Sequence, residues 1–344
     1  MFPQIAHEVV AIFKSWQVTR LEMDGQPLVE KESQKAEINQ VNVRAKDPEV
    51  VMPSLNFEFY MKILEDLFGQ QWFSDRERKK SSHPAYINWK LCLKLIKQAG
   101  LLKYPADLQI LPDIAKVILD SQIILQCSGG DISNLILGSF ANYGSQSVRR
   151  RLKQVILQPD GNGFKSVMTE LFYAAWHISE GHKVTAYEEE GYPDFQVIEE
   201  DLSLPLVTDC KRIQRDSNDL RFAKVINKAN NQVKKLGVQC YGIAVIDITE
   251  KVRNPNVFSD EIPQSVLHIK EIVSNAIQKD NSSISAVLLF WDDYVVHGDP
   301  RMSPDSLIAY RRRSQIVKHC DPMHNLPEEI RLFNLGKTSI FRVS

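Results

Sequence analysis

The chain has 344 residues, of which 43% are hydrophobic and 25% charged, an ordinary composition for a globular protein with room for two domains. Its formal net charge of −1 argues against an extended, strongly basic nucleic-acid-binding surface, although local basic patches are still allowed. The five cysteines form no C-x-x-C pair, so neither a disulfide framework nor a zinc ribbon is indicated, and we expect reduced thiols.

Targeting signals are not evident in the sequence. The first residues do not combine a basic region with an apolar stretch, so a secretory leader is not expected. The longest apolar runs, such as residues 286–291, are far shorter than the roughly 20 residues that cross a membrane. We therefore expect a cytoplasmic protein without a membrane partner.

Residues 1–157 are predicted to form a β-hairpin followed by a helical region that binds substrate or a partner. The hairpin is centred on Asp24-Gly25, a strong two-residue turn signal. Apolar residues recur at helical spacing from residue 55 onwards, with a charged break expected at residues 75–82. Further helices are predicted at residues 87–99, ended by Gly100, at 114–125, after a candidate N-cap at Asp131, and at 145–157. The last of these carries a basic run, Arg149, Arg150, Arg151 and Lys153.

A second region, residues 158–344, begins with the break QPDGN and a mostly buried helix over residues 163–181. Val167, Leu171 and Ala174 lie on its apolar face. Glu170 falls at the edge of this face by 100° steps, where a carboxylate can reach a neighbouring site. A half-exposed acid on the helix rim is the alternative interpretation.

Three strands are predicted next, over residues 182–188, 192–198 and 204–213. The second contains Asp194 and the third contains Asp209, each in an apolar setting. Because side chains alternate along a strand, Asp209 and Lys211 point to one face and Cys210 to the other.

The two strand acids and the lysine favour a metal site. Burying ionised Asp and Lys side chains costs several kcal/mol unless something pairs with them. Two carboxylates are hard oxygen ligands suited to Mg²⁺ or Mn²⁺, and a lysine beside the ion can orient a water or steady a phosphate. For a bare D-x-K triplet a plain Asp–Lys pair would be the better interpretation, but Pro193-Asp194 and the strand context favour the metal site.

The rest of the chain continues as α/β structure. We predict a helix ending near residue 236, a buried strand at 240–248, a helix at 264–278, a buried strand at 284–291 and a helix at 303–318. The first of these helices has a basic side, Lys224, Lys228 and Lys235. Asp292-Asp293, at the end of the 284–291 strand, and the run Arg311 to Arg313 are predicted to be surface charges.

The pattern Pro193-Asp194, fourteen residues, then Asp209-Cys210-Lys211 resembles the signature of the PD-(D/E)xK nuclease superfamily, which has the restriction-endonuclease-like fold. The order helix, strand, strand, strand, helix, strand over residues 163–250 strengthens this resemblance. It implies an α/β fold with a mixed sheet flanked by helices. It also implies metal ligation by Asp194, Asp209, Glu170 and the Cys210 backbone carbonyl.

The same resemblance implies catalytic roles for Glu170, Asp194, Asp209 and Lys211, and for Gln232 on the following helix. We therefore expect a Mg²⁺- or Mn²⁺-dependent endonuclease acting on DNA rather than RNA, in defence against foreign DNA or in DNA repair. A homodimer or a partner protein is left open. The alternative is a catalytically silent nuclease-fold subunit that binds or scaffolds within a larger nucleic-acid-processing assembly.

The other motifs in the sequence give little evidence of function. His319, Cys320 and His324 are close in sequence, but their spacing matches no four-ligand zinc pattern and Pro322 interrupts it. The chain has no phosphate-binding G-x-x-x-x-G-K-[ST] loop, no G-x-G-x-x-G and no G-x-S-x-G elbow, so nucleotide hydrolysis and serine-hydrolase chemistry have no support.

Overall fold

The computed structural model describes residues 49–51, 55–97, 101–103, 143–159, 161–199, 202–252, 261–278, 282–297, 307–320, 326 and 338–342. Its helices are α1 (Leu55–Phe68), α2 (Gln70–Arg78), α3 (Pro84–Lys97), α4 (Gln146–Ile156), α5 (Asn162–Ser179), α6 (Leu220–Lys235) and α7 (Gln264–Ile277). Its strands are β1 (Glu49–Val51), β2 (Leu101–Lys103), β3 (Lys183–Ala186), β4 (Phe195–Ile198), β5 (Leu206–Arg212), β6 (Tyr241–Asp247), β7 (Ile284–His297), β8 (Leu307–Lys318) and β9 (Thr338–Arg342). The predicted hairpin at Asp24-Gly25, the helix at 114–125 and the caps at Gly100 and Asp131 lie outside the described residues.

The larger sheet is mixed and has seven strands in the order β3-β4-β5-β6-β7-β8-β9. Strands β3, β4 and β5 form an antiparallel meander, and β6 and β7 then run parallel to β5. Each parallel step is spanned by a helix, α6 or α7, as such connections require. The predicted order from α5 to β6 is therefore found, and the protein is an α/β protein with helices packed on a mixed sheet.

Two apolar clusters cover the two faces of this sheet. Leu206 and Cys210 of β5 lie in the cluster that contains α5, whereas Val207 and Ile213 lie in the cluster that contains α6 and α7. Alternation along β5 divides these residues between the clusters. Strand β5, which carries Asp209 and Lys211, is consequently buried between helices on both sides.

The helices α1 to α4 join the α5 side of this core. The Phe68 and Phe164 rings are 6.2 Å apart, and the His83 ring Nε2 donates to the Ile156 carbonyl oxygen at 3.2 Å. All described residues belong to one compact unit, Glu49–Ser344. No helix within the described part of the chain is both long and apolar enough to span a membrane.

Residues 303–318 were predicted to be helical, and this prediction is wrong for the described part, because 307–318 form β8. Strand β8 pairs antiparallel with β7 from Ala286↔Lys318 to His297↔Leu307. In the register of this pairing, Asp292 stands opposite Arg312 and Asp293 opposite Arg311. Strand β7 also runs six residues past Trp291, so Asp292-Asp293 lie inside the strand and not at its end.

Two smaller corrections concern boundaries. Helix α2 includes residues 75–78, so the charged stretch begins inside a helix rather than as a break. Strand β4 begins at Phe195, which places Asp194 just before the strand, since Pro193 cannot donate a ladder hydrogen bond. Helix α4 is confirmed, with the Ser145 hydroxyl accepting from the Val148 N–H as its N-cap.

Candidate active site

Asp209 lies in the middle of β5, between β4 and β6, and is fully buried. Its Oδ1 accepts a hydrogen bond from Lys211 Nζ. Its Oδ2 is buried without a hydrogen-bond partner among the described residues. An ionised carboxylate oxygen left without a donor is costly, so this atom points to a ligand that the chain itself does not supply.

Asp194 is held beside Asp209 by the pairing of β4 with β5. Phe195 pairs with Thr208, and the Asp194 N–H donates to the Thr208 carbonyl oxygen at 2.9 Å. The Asp194 Oδ2 in turn accepts from the Cys210 N–H at 2.6 Å. The carboxylate is thereby fixed against the backbone of β5, and its predicted role as a metal ligand stays a prediction.

Lys211 is the only basic side chain with a described hydrogen bond to these acids. Its Nζ contacts Asp209 Oδ1 and donates to the Cys210 carbonyl oxygen at 3.1 Å, and one fifth of the side chain is exposed. Burial alone would lower the pKa of Lys211, but the Asp194 and Asp209 carboxylates outweigh burial and raise it. Lys211 therefore stays charged at neutral pH.

Glu170 approaches from α5 and is 8% exposed. The Tyr143 hydroxyl donates to its Oε1. Burial, and then the Asp194 carboxylate, raise the pKa of Glu170 to about 8, while Arg151 and Lys211 act in the opposite direction. Glu170 thus interacts electrostatically with Asp194, and its predicted part in a metal site stays a prediction.

These four side chains, Glu170, Asp194, Asp209 and Lys211, are called the acidic cluster below. Burial, and then Asp194, also raise the pKa of Asp209, to about 7. With all groups ionised the cluster holds three negative charges against one positive charge. A hard divalent cation such as Mg²⁺ or Mn²⁺ would offset this excess, but in the described structure the oxygens of Glu170, Asp194 and Asp209 do not all lie within 4.8 Å of one another.

Gln232 contacts the segment before Asp194. Its Nε2 donates to the Tyr192 carbonyl oxygen at 2.5 Å, and its buried Oε1 has no hydrogen-bond partner in the described part of the chain. Lys235 lies over the Tyr192 ring at 4.1 Å. Gln232 is thus placed to position the chain that leads into Asp194, and its predicted catalytic role stays a prediction.

Basic residues from two helices border the acidic cluster. Burial and the Asp194 carboxylate raise the pKa of Asp209, and the exposed Lys228 of α6 partly opposes this rise. Arg151 of α4 faces Glu170 and donates from Nη1 to the Tyr187 carbonyl oxygen at 3.1 Å. Sequence reasoning noted both residues only as parts of basic runs, and it missed Tyr143, which is 27 residues before Glu170 and has no local signal.

A second charged group, the arginine cluster, lies beside the first. It consists of Arg212 at the end of β5, Asp247 at the end of β6, Glu250, and Lys165 and Thr169 on α5. Arg212 donates to Asp247 Oδ2 at 2.9 Å and to Glu250 Oε1 at 3.0 Å. Sequence reasoning missed this cluster because its members come from four separate elements.

The remaining candidates from the sequence have other surroundings. Arg313 lies over the Trp291 ring at 5.4 Å and donates to the Glu261 carbonyl oxygen at 3.0 Å. His319 is buried, Cys320 is exposed, and His324 lies outside the described residues. A different histidine cluster, His177 with His182 and Glu199, brings three ligand atoms within 4.8 Å of one another and had not been predicted.

Searches against protein-family models, curated proteins and solved structures give no match to this chain. The residues and geometry of the chain itself therefore carry the functional assignment.

Proposed function

We propose that the protein is a metal-dependent nuclease with a restriction-endonuclease-like core, and that it hydrolyses phosphodiester bonds in DNA. The observation that carries this proposal is the carboxylate pair of the buried Asp209 and the partly buried Asp194. Asp194 and Asp209 lie on neighbouring chain segments, and Lys211 is on the same strand as Asp209. The Asp209 Oδ2 atom is buried and has no hydrogen-bond partner among the described residues. The order of elements from α5 to β6 supports the same family.

In this proposal the acidic cluster holds the cation and the substrate's reacting phosphate. Asp194 and Asp209 are its carboxylate ligands, with Glu170 and the Cys210 carbonyl as further donors. Mg²⁺ or Mn²⁺ bound there would offset the phosphate's negative charge and acidify a water molecule. Lys211 places a fixed positive charge beside the carboxylates, where negative charge increases as water attacks phosphorus.

Two features favour a polyanionic substrate. Lys224, Lys228 and Lys235 are exposed on α6, which packs beside β5, and Arg151 borders Glu170 on the other side. Lysine and arginine side chains around a cleavage site bind phosphates through charge. Such binding weakens as the salt concentration rises, because the release of counterions from the DNA is then less favourable. We propose DNA as the substrate, in defence or repair, and RNA as the competitor to be tested.

The deciding experiment combines metal binding with cleavage. The full chain is incubated with duplex DNA, single-stranded DNA and RNA, with Mg²⁺, Mn²⁺ or chelator, and Mg²⁺ binding is measured by calorimetry. We expect metal-dependent cleavage of DNA, and Asp194→Ala should weaken Mg²⁺ binding and abolish cleavage. Glu271→Ala, an exposed acid on α7, is the matched control and should change neither.

Equal Mg²⁺ binding by the wild type and Asp194→Ala would remove Asp194 from the metal site. Salt-dependent DNA binding without cleavage under any of these metals would favour the silent binding or scaffold subunit instead. Cleavage restricted to RNA would keep the chemistry and change the substrate class.

A further inference from the structure

Three side chains with metal-binding atoms meet at the end of α5, away from the residues used above. The Nδ1 atoms of His177 and His182 are 3.1 Å apart. Glu199 Oε1 lies 3.3 Å from the Nδ1 of His182 and 3.8 Å from that of His177. The three atoms therefore form a compact triangle.

The two histidines are brought together by the way α5 ends. Gly181 has a φ of 90°, the Gly181 N–H bonds to the Ile178 carbonyl and the His182 N–H bonds to the His177 carbonyl. This is a Schellman motif, in which the side chains three residues before and two residues after the C-cap contact each other. Those two positions are His177 and His182.

Glu199 is added by the strand register. Lys183 at the start of β3 pairs with Ile198 at the end of β4, so the residues one step further out, His182 and Glu199, are neighbours across the hairpin. The His177 ring is fixed by packing, with the Tyr173 ring at 4.8 Å and the Trp176 ring at 4.5 Å. The triangle is thus held by a helix end, a hairpin and an aromatic cluster.

The size of the triangle matches a tetrahedral metal. Zinc binds histidine nitrogen and carboxylate oxygen at about 2.0–2.2 Å, which places two ligand atoms of a tetrahedron about 3.3–3.5 Å apart. The observed separations of 3.1, 3.3 and 3.8 Å bracket this value.

We propose that His177, His182 and Glu199 form a zinc site with three protein ligands and a fourth position open to water. Two imidazoles and one carboxylate suit zinc better than the hard cations that suit the acidic cluster. The side chains of His182 and Glu199 are 26% and 16% exposed, which leaves a route from solvent to a metal. This proposal does not depend on the proposed nuclease function.

The position of the site gives it a structural consequence. His177 follows Glu170 by seven residues on α5, about 10 Å along the helix axis. A bound zinc would tie the end of this helix to the β3–β4 hairpin, whose second strand begins one residue after Asp194. Zinc binding should therefore raise the melting temperature of the protein.

The test is titration of the metal-free full chain with Zn²⁺ by calorimetry, with Co²⁺ absorption to report tetrahedral geometry. All variants carry Cys320→Ser, so that this exposed thiol cannot bind the probe. We expect one Zn²⁺ to bind, and His182→Ala and Glu199→Gln to weaken it by roughly tenfold or more, since even outer-shell changes have effects of that size. Both residues are partly exposed, so the variants should fold.

His268→Ala, which alters an exposed histidine on α7, is the control and should bind Zn²⁺ like the wild type. Asp209→Asn separates the two sites: titrated in excess Mg²⁺, which competes for the acidic cluster, it should keep the Zn²⁺ site at His177, His182 and Glu199. Unchanged Zn²⁺ affinity and Co²⁺ spectrum in both His182→Ala and Glu199→Gln would overturn the proposal. Loss of Zn²⁺ binding in Asp209→Asn but not in His182→Ala would also overturn it, because the zinc would then belong to the acidic cluster.

Discussion

Strand β5 carries two buried charged clusters, and their charges are compensated differently. Lys211 and Arg212 are adjacent in sequence and point to opposite faces of the sheet. Lys211 belongs to the acidic cluster, with three carboxylates and one amine. Arg212 belongs to the arginine cluster, in which Arg212 and Lys165 balance Asp247 and Glu250.

The carboxylates of the arginine cluster are well supplied with donors. Asp247 Oδ1 accepts from the Thr249 N–H at 2.9 Å, and its Oδ2 accepts from Thr169 and Arg212. Burial alone would raise the pKa of Glu250, but hydrogen bonds from Lys165 and Arg212 lower it to about 2. The acidic cluster shows the opposite behaviour, because the pKa values of Asp209 and Glu170 are raised.

This contrast separates a structural ion network from a site that needs a ligand. Natural proteins pair or neutralise buried charges, and Asp247 and Glu250 follow that rule. The acidic cluster departs from it on the same strand, and this departure supports our proposal that the cluster takes up a cation. The two clusters can be compared by matched substitutions.

The largest expected effect is on stability at Arg212. Arg212→Ala leaves Asp247 and part of Glu250 without their partner, and we expect the free energy of unfolding to fall by about 3–5 kcal/mol. Denaturant unfolding at neutral pH measures this change. Arg215→Ala, an exposed neighbour, is the control and should stay close to the wild type. An unchanged free energy of unfolding in Arg212→Ala would show that the arginine cluster does not stabilise this end of the sheet.

At Lys211 we expect the main loss in activity. Removing a fixed charge beside a developing anion typically costs about 3–4 kcal/mol, so Lys211→Ala should slow cleavage by roughly a hundredfold to a thousandfold. DNA binding should change little because many phosphate contacts share it. Single-turnover cleavage and thermal melting are both measured in Mg²⁺, so that the cation compensates for the positive charge lost with Lys211.

The exposed Lys183→Ala serves as the control for Lys211→Ala. A large fall in melting temperature, with DNA binding and cleavage lost in proportion, would mean that Lys211 only neutralises Asp209. The two clusters would then both be structural, and the comparison would fail.

Matched aspartate substitutions give a smaller and more specific contrast. Asp247→Asn removes an acceptor that Arg212 needs, and we expect a loss of roughly 1–3 kcal/mol in the free energy of unfolding. Asp209→Asn removes one negative charge from a cluster of three carboxylates and one amine, so without metal the stability should change by less than about 1 kcal/mol or rise. Chemical denaturation in chelator checks both. The reverse order of effects would contradict the assignment of the two clusters.

The smallest expected effect is the pH dependence contributed by Glu250. Its pKa in the folded protein, about 2, is below its ordinary value of 4.5, so its stabilisation is present above about pH 4.5 and is lost as pH falls toward 2. One quarter of the side chain is exposed. After solvent screening we therefore expect about 1–2 kcal/mol.

The measurement for Glu250 is the stability difference between the wild type and Glu250→Gln as a function of pH. It should be constant near neutral pH and shrink through the acid range. A difference that grows as pH falls would show that Glu250 is not stabilised as an anion by Lys165 and Arg212.

Part of the active-site arrangement could be predicted without the structure. The spacing of Asp209 and Lys211 places both side chains on one face of a strand, and Glu170 lies at the edge of an apolar helix face by simple rotation. The alternation of helix and strand signals predicted the elements from α5 to β6, which the structure confirms within a few residues. These are properties of short segments, where the backbone period alone decides which side chains are neighbours.

The long-range contacts could not be predicted in this way. The stretch with Arg311 to Arg313 looked helical, but the pairing of β7 with β8 made it a strand, because cross-strand partners and packing override local propensity. Tyr143 and Arg151 reach Glu170 from another helix and its preceding segment, and Arg212 finds Asp247 on the neighbouring strand.

The sequence by itself thus determined which residues share a face: Asp209 with Lys211 on one side of β5, and Cys210 with Arg212 on the other. Only the tertiary structure decided which charges those residues meet. Burial, and then the Asp194 carboxylate, raise the pKa of Asp209, whereas for Glu250 the effect of burial is outweighed by Lys165 and Arg212, which lower its pKa. The reason is that charge compensation in a protein interior depends on spatial neighbours and water exclusion, and both arise only when distant segments pack together.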